Sequence, residues 1–109
     1  MGDAQFAKMK AGAILINTSR GEVVDEDALL RALNQGLWGA GLDVQRNEKP
    51  ESDNPLRRHE HVVMTPHIGA QTDQGLDKVA AAAAQNILDV LQGRGPRADS
   101  CVNLQAIVV

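Results

Sequence analysis

Four residues of this sequence could together do acid–base and anion chemistry: Arg20, Asp43, Glu48 and His67. An arginine can hold a carboxylate through two parallel hydrogen bonds. A glutamate beside a histidine stabilises the imidazolium and fixes the ring tautomer, so the ring can pass a proton near neutral pH. Taken singly, each has an ordinary reading: Asp43 a turn cap, Glu48 a solvated loop charge, His67 a satisfied histidine after a proline. Their placement links them. Arg20, Asp43 and His67 each stand at or just past the end of a short apolar run, and Glu48 follows on the loop that leaves Asp43.

The elements that must position them can be read from pattern. Ala13–Ile16 is a short buried strand, bounded by Gly12 and Gly21 and carrying the β-branched Ile14 and Ile16. Leu37–Val44 and Val62–Met64 read as two more. Between the first two, Asp25 is an N-cap for a helix over Glu26–Gln35. Leu29, Leu30 and Leu33 form its apolar stripe, and Gly36 stops it. Asp3–Lys10 reads as a short helix with Phe6 and Met9 on one face. Arg46–Glu60 is a polar loop holding Pro50 and Pro55, with one turn near Pro55–Arg58. Thr72 caps a long helix ending at Gly93, with Leu76, Val79, Ala80, Ala83, Ile87, Val90 and Leu91 on one stripe. Its alanine-rich middle predicts close packing on a flat surface such as a sheet. Gly93–Ser100 reads as a linker and Cys101–Val109 as a last extended segment. Strand, helix, strand, loop, strand, helix predicts an α/β fold with a parallel sheet. The C-terminal strand ends, with Arg20, Asp43 and His67, then share one edge, where open α/β sheets bind ligands.

Composition removes several function classes. The chain has 109 residues, 43% hydrophobic and 23% charged, as in ordinary globular proteins. A net charge of −3 gives no basic footprint for nucleic acid. The single cysteine, Cys101, allows neither an internal disulfide nor a cysteine metal cluster. His59 and His61 stand in a polar loop without a ligand pattern, so no metal is expected. The longest apolar run, Val79–Ala84, is too short to span a bilayer. Met1–Ala13 lacks an apolar signal core, so a cytoplasmic location is expected. Neither a phosphate-binding G-x-x-x-x-G-K-[ST] nor a G-x-G-x-x-G motif is present.

The ordered runs MKAGAILINTSRGEVVDEDALLRAL, GLWGAGLDV, NEKP and VVMTPHIGAQT resemble the D-isomer-specific 2-hydroxyacid dehydrogenase family. The resemblance covers about Phe6–Gly93. It implies the second half of a Rossmann-like NAD-binding domain over residues 1–93, with 94–109 a tail returning to a substrate domain. The chain is thus expected to be partial, with about three parallel strands and flanking helices. The implied reaction is reversible hydride transfer between NAD(H) and a 2-hydroxy or 2-keto acid, with NADP left open. By the resemblance Arg20 is the substrate-binding arginine, His67 the acid/base histidine and Glu48 its partner. Asp43 contacts the nicotinamide carboxamide, and Thr18, Ser19, Arg20, His67 and Gly69 line the nicotinamide half of the cofactor. Gln45-Arg46 stands where the family usually has an aromatic and an acidic or small residue. That departure bears on substrate preference. Two further expectations concern the chain alone. It binds NAD weakly without turnover, and its Ala13–Ile16 strand shows an apolar edge that favours a homo-oligomer. The alternative is a non-catalytic, truncated interaction module.

Overall fold

The computed structural model describes residues 1–49 and 53–106. They fall into two compact units, Met1–Gly69 and the residues from Ala70 on.

The first unit is an α/β layer. A helix α1, Asp3–Phe6, is followed by strand β1, Ile14–Asn17, helix α2, Glu26–Asn34, strand β2, Gly39–Leu42, and strand β3, Val62–Met64. All strands are parallel in the order β1-β2-β3, with Ile14 opposite Gly39 and Ala40 opposite Val62. The expected parallel sheet is therefore present, and Asn17, Leu42 and Met64 end their strands at one edge.

Local chemistry sets the elements. Asp25 caps α2 as read: its Oδ1 accepts from the Asp27 and Ala28 amides, each at 3.1 Å. Beyond Asn34 the chain turns at Gly36, whose φ of 119° suits glycine. The apolar face of α2 packs on the sheet, and Ala28, Leu29 and the loop residue Leu56 are fully buried with Leu33, Leu37 and Leu42. The expected turn is a 3-10 turn over Pro55–Arg58, with Pro55 in its first turn and the Asn54 side chain accepting from the Leu56 amide at 3.0 Å.

Three readings change. α1 stops at Phe6 instead of reaching Lys10, because a run this short has little to stabilise it beyond the buried Phe6. β2 is shorter than Leu37–Val44: the Leu37 amide still closes the end of α2 on Ala32, and past Leu42 the Asp43 side chain begins the site. β1 runs over Ile14–Asn17 instead of Ala13–Ile16, and neither it nor β3 is buried as read: Ile16 is 73% and Val63 70% exposed. The expected open edge is present, since β1 pairs only with β2 among the described residues.

The second unit is built on helix α3, Asp73–Leu91. The Thr72 hydroxyl accepts from the Gly75 amide at 3.0 Å, and the chain turns at Gly93 with φ 74°. Both ends match the expectation; among the described residues of this unit nothing covers the apolar stripe. Leu76, Val79 and Ile87 are 56%, 66% and 61% exposed, and Asp89 is the buried residue of the helix. Asp89 accepts from Gln85 at 2.8 Å and from Arg94 Nε at 3.0 Å, a helix-end cluster in which the Arg94 hydrogen bond, then that of Gln85, holds its carboxyl below the usual range. The tail carries a 3-10 turn at Leu104–Ala106 in place of an extended run, and Ile107–Val109 lie outside the described residues. No described helix is long and apolar enough to cross a membrane.

Candidate functional site

The end of β1 is folded by one buried side chain. Asn17 is 6% exposed; its Nδ2 donates to the Arg20 carbonyl at 2.9 Å, while its Oδ1 accepts from the Ser19 amide at 3.1 Å and the Ser19 hydroxyl at 2.9 Å. That bracket turns the strand at once into Thr18, Ser19 and Arg20, all exposed. The next residue must be glycine: a Cβ on Gly21 would lie 2.0 Å from the Gln45 carbonyl carbon. Arg20 is thereby brought beside the start of the loop that carries Glu48.

Asp43, past the end of β2, is 7% exposed and ties down the segment after β3. Its Oδ1 accepts from the Thr65 hydroxyl and from the Ile68 amide at 2.9 Å, and its Oδ2 from the Gly69 amide at 2.7 Å. Its own carbonyl accepts from the His67 amide at 2.9 Å. The Thr65 hydrogen bond first, then those of Ile68 and Gly69, hold the Asp43 carboxyl below its ordinary value. Gly69 leaves the room this needs, since a Cβ there would stand 2.8 Å from Oδ2. The pinned segment puts His67 at φ 56°, a left-handed conformation that a non-glycine residue adopts only when its surroundings fix it.

His67 Nδ1 and Glu48 Oε2 are 3.1 Å apart, both side chains a little under half exposed. The His67 hydrogen bond is the largest cause holding the Glu48 carboxyl below its usual value; partial burial opposes it, and the Gln45 backbone assists it. An acceptor carboxylate on Nδ1 assigns the Nδ1 proton and leaves exchange with a reactant to Nε2.

Two clefts open at this edge. One, of about 510 Å³, is lined by Arg20, Arg46, Glu48, Lys49 and His67, so the three expected catalytic side chains face one space. The other, of about 480 Å³, is lined by Asp43, Gln45, Glu48, Arg57, Thr65 and His67. Thr18 and Ser19 lie on the turn before Arg20, outside the lining of both. Pro50 of the NEKP run lies outside the described residues. Among the described residues no cluster of His, Cys, Asp and Glu could hold a metal ion.

Sequence reading missed the supports of the Glu48 loop. Glu26, read as a residue of the helix start, accepts from the Arg46 amide at 2.8 Å and from the Asn54 side chain at 2.9 Å. Arg57 donates to Gln45 and to the Lys49 carbonyl. Their only sequence signal was polarity at buried or loop positions, Gln45 and Asn54 above all.

The sequence profile of the family described as "D-isomer specific 2-hydroxyacid dehydrogenase, NAD binding domain" matches residues 1–69, the same span as the first unit. Glyoxylate/hydroxypyruvate reductase B of Salmonella paratyphi B is 46% identical over 106 residues, 96% of this chain and 32% of that protein. A glyoxylate reductase from Paecilomyes thermophila superposes with a TM-score of 0.79 at 32% identity, covering 89% of this chain and 30% of that one. A D-lactate dehydrogenase from Aquifex aeolicus, solved with NAD and lactic acid, gives a TM-score of 0.73 at 32% identity over 84% of this chain and 32% of its own. The chain thus spans about a third of the length of the relatives it matches. With its whole first unit matched in sequence and its parallel sheet shared with these enzymes, the chain belongs to the D-isomer-specific 2-hydroxyacid dehydrogenases, as part of their NAD-binding domain.

Proposed function

We propose that this chain supplies the substrate-orienting and proton-transferring residues of a dehydrogenase that interconverts a 2-keto acid and a 2-hydroxy acid. The observation that carries the proposal is the single cleft faced by Arg20, Glu48 and His67. Arg20 holds the substrate carboxylate by its two-pronged guanidinium. His67 gives a proton from Nε2 to the ketone oxygen during reduction and takes it back during oxidation. Glu48 keeps the ring in the tautomer that allows this. NAD(H), when bound, supplies or accepts the hydride at the substrate carbon. The residues fit its nicotinamide end: Asp43 Oδ2 accepts from the Gly69 amide, and a carboxylate oxygen can take a second donor such as a carboxamide N–H. Thr18, Ser19, Arg20, His67 and Gly69 are proposed to line the same end.

The alternative of a non-catalytic interaction module finds no support in these relatives. Self-association remains part of the proposal, supported by the exposed Ile14 and Ile16 on edge strand β1.

The test is a chimera in which this chain replaces the matching 106 residues of the Salmonella reductase. It should oxidise NADH with glyoxylate or hydroxypyruvate. Arg20→Ala should lower kcat/KM by more than tenfold, since removing one partner of a desolvated charge pair costs about 2–5 kcal/mol. A folded, NADH-binding chimera without turnover, or one indifferent to Arg20→Ala, would remove the proposal.

A further inference from the structure

We propose that Arg57 is a positioning residue for Glu48: its guanidinium bridges both ends of the 45–49 loop and so sets where the Glu48 carboxylate meets His67. Arg57 Nε donates to Gln45 Oε1 at 3.0 Å, and Nη2 donates to the Lys49 carbonyl at 3.1 Å. Gln45 opens the loop and Lys49 follows Glu48, so the fork holds the Gln45 side chain ahead of the carboxylate and the Lys49 backbone carbonyl behind it. Gln45 is 9% exposed, which shelters its amide oxygen from competing water.

The fork stands on a fixed base. Arg57 belongs to the 3-10 turn Pro55–Arg58, its amide donates to the Asn54 carbonyl at 3.0 Å, and its neighbour Leu56 is fully buried in the core. Asn54 in turn donates to Glu26, whose other oxygen accepts from the Arg46 amide. Both walls of the loop are therefore tied to α2 and to the 3-10 turn. A planar guanidinium holds two acceptors at a set spacing, which an ammonium does not.

The inference rests on the Glu48–His67 pairing of the proposed function, and its test separates the two. The Glu48 side-chain carboxyl is titrated by carbon-13 NMR on the full chain, with and without His67→Gly, in three backgrounds: Arg57, Arg57→Met and Arg57→Lys. Glycine suits φ 56° and removes the ring without backbone strain. With Arg57 intact, His67→Gly should raise the Glu48 midpoint, because the leading cause of its low value is gone. In Arg57→Met the same change should raise it by roughly half as much or less, a coupling that a double-mutant cycle isolates. Arg57→Lys keeps the charge without the fork and should behave like Arg57→Met. Asp43, the other carboxylate acting on Glu48, is unchanged throughout. An equal response in all three backgrounds overturns the positioning role and leaves the pairing standing. A full response in Arg57→Lys overturns it too, by assigning the effect to charge. No response to His67→Gly even with Arg57 intact overturns the pairing itself, and the inference with it.

Discussion

The two units carry helices of similar logic and opposite fate. α2 and α3 both begin at a side-chain cap, Asp25 and Thr72, and both turn at a glycine with positive φ. Both carry an apolar stripe. In α2 the stripe is buried, with Leu29 at 0% exposure; in α3 it is open, with Leu91 at 77%. Caps and periodicity make a helix, but burial decides what a side chain contributes to stability. The candidate site residues follow the same division. Arg20, Asp43, Glu48 and His67 all belong to the unit with the core, where strand ends and buried carboxylate and amide groups hold them.

The largest effect should therefore separate the two stripes. Leu29→Ala should destabilise the first unit by about 2–5 kcal/mol through the cavity it leaves. Leu91→Ala should change stability by no more than about 0.5 kcal/mol, as exposed substitutions do. Denaturant unfolding of both variants checks this, and equal losses would erase the distinction.

A smaller, local effect is expected at the anchor of the His67 segment. Asp43→Ala leaves the Ile68 and Gly69 amides without their acceptor. Exchange of those two amides should quicken on the order of tenfold, with little change in α2, if each hydrogen bond contributes about 1 kcal/mol. Uniform acceleration through the unit would mean that Asp43 supports the fold at large rather than this segment.

The smallest effect is on pH. Asp43 and Glu48 titrate below their ordinary values of 3.8 and 4.5 in the folded chain. Groups depressed by folding contribute stability above those ordinary values and lose it as pH falls through the folded ones. Stability of the first unit should thus fall below about pH 4.5, and Asp43→Asn should flatten that dependence. Unfolding free energy against pH, measured for both chains, would show it; an equally steep acid limb in Asp43→Asn would assign the sensitivity elsewhere.

Much of this was legible in residue order. Parallel pairing, both caps, the turn at Pro55 and the shared edge of Arg20, Asp43 and His67 follow from local pattern and strand direction. What sequence could not give was partners distant in the chain. Asp43 was visible as a strand-end acid, but its acceptor role depends on amides in a segment after β3. Glu26 looked like a residue suited to a helix dipole, while its oxygens hold Arg46 and Asn54. Arg57 was legible only as part of the turn near Pro55–Arg58; the fold brings Gln45 and Lys49 to it. The α3 stripe shows the converse limit: spacing identified an apolar face, but spacing alone does not say that anything covers it.

The measurement closest to the central claim is kcat/KM for NADH-dependent keto-acid reduction by the chimera with and without His67→Gly, with NADH affinity followed in parallel. If the sheet edge presents His67 as the proton donor, kcat/KM should drop by about a hundredfold or more, the usual worth of a general acid, with both enzymes saturated with NADH. A drop of less than about tenfold, with NADH still bound, would contradict it.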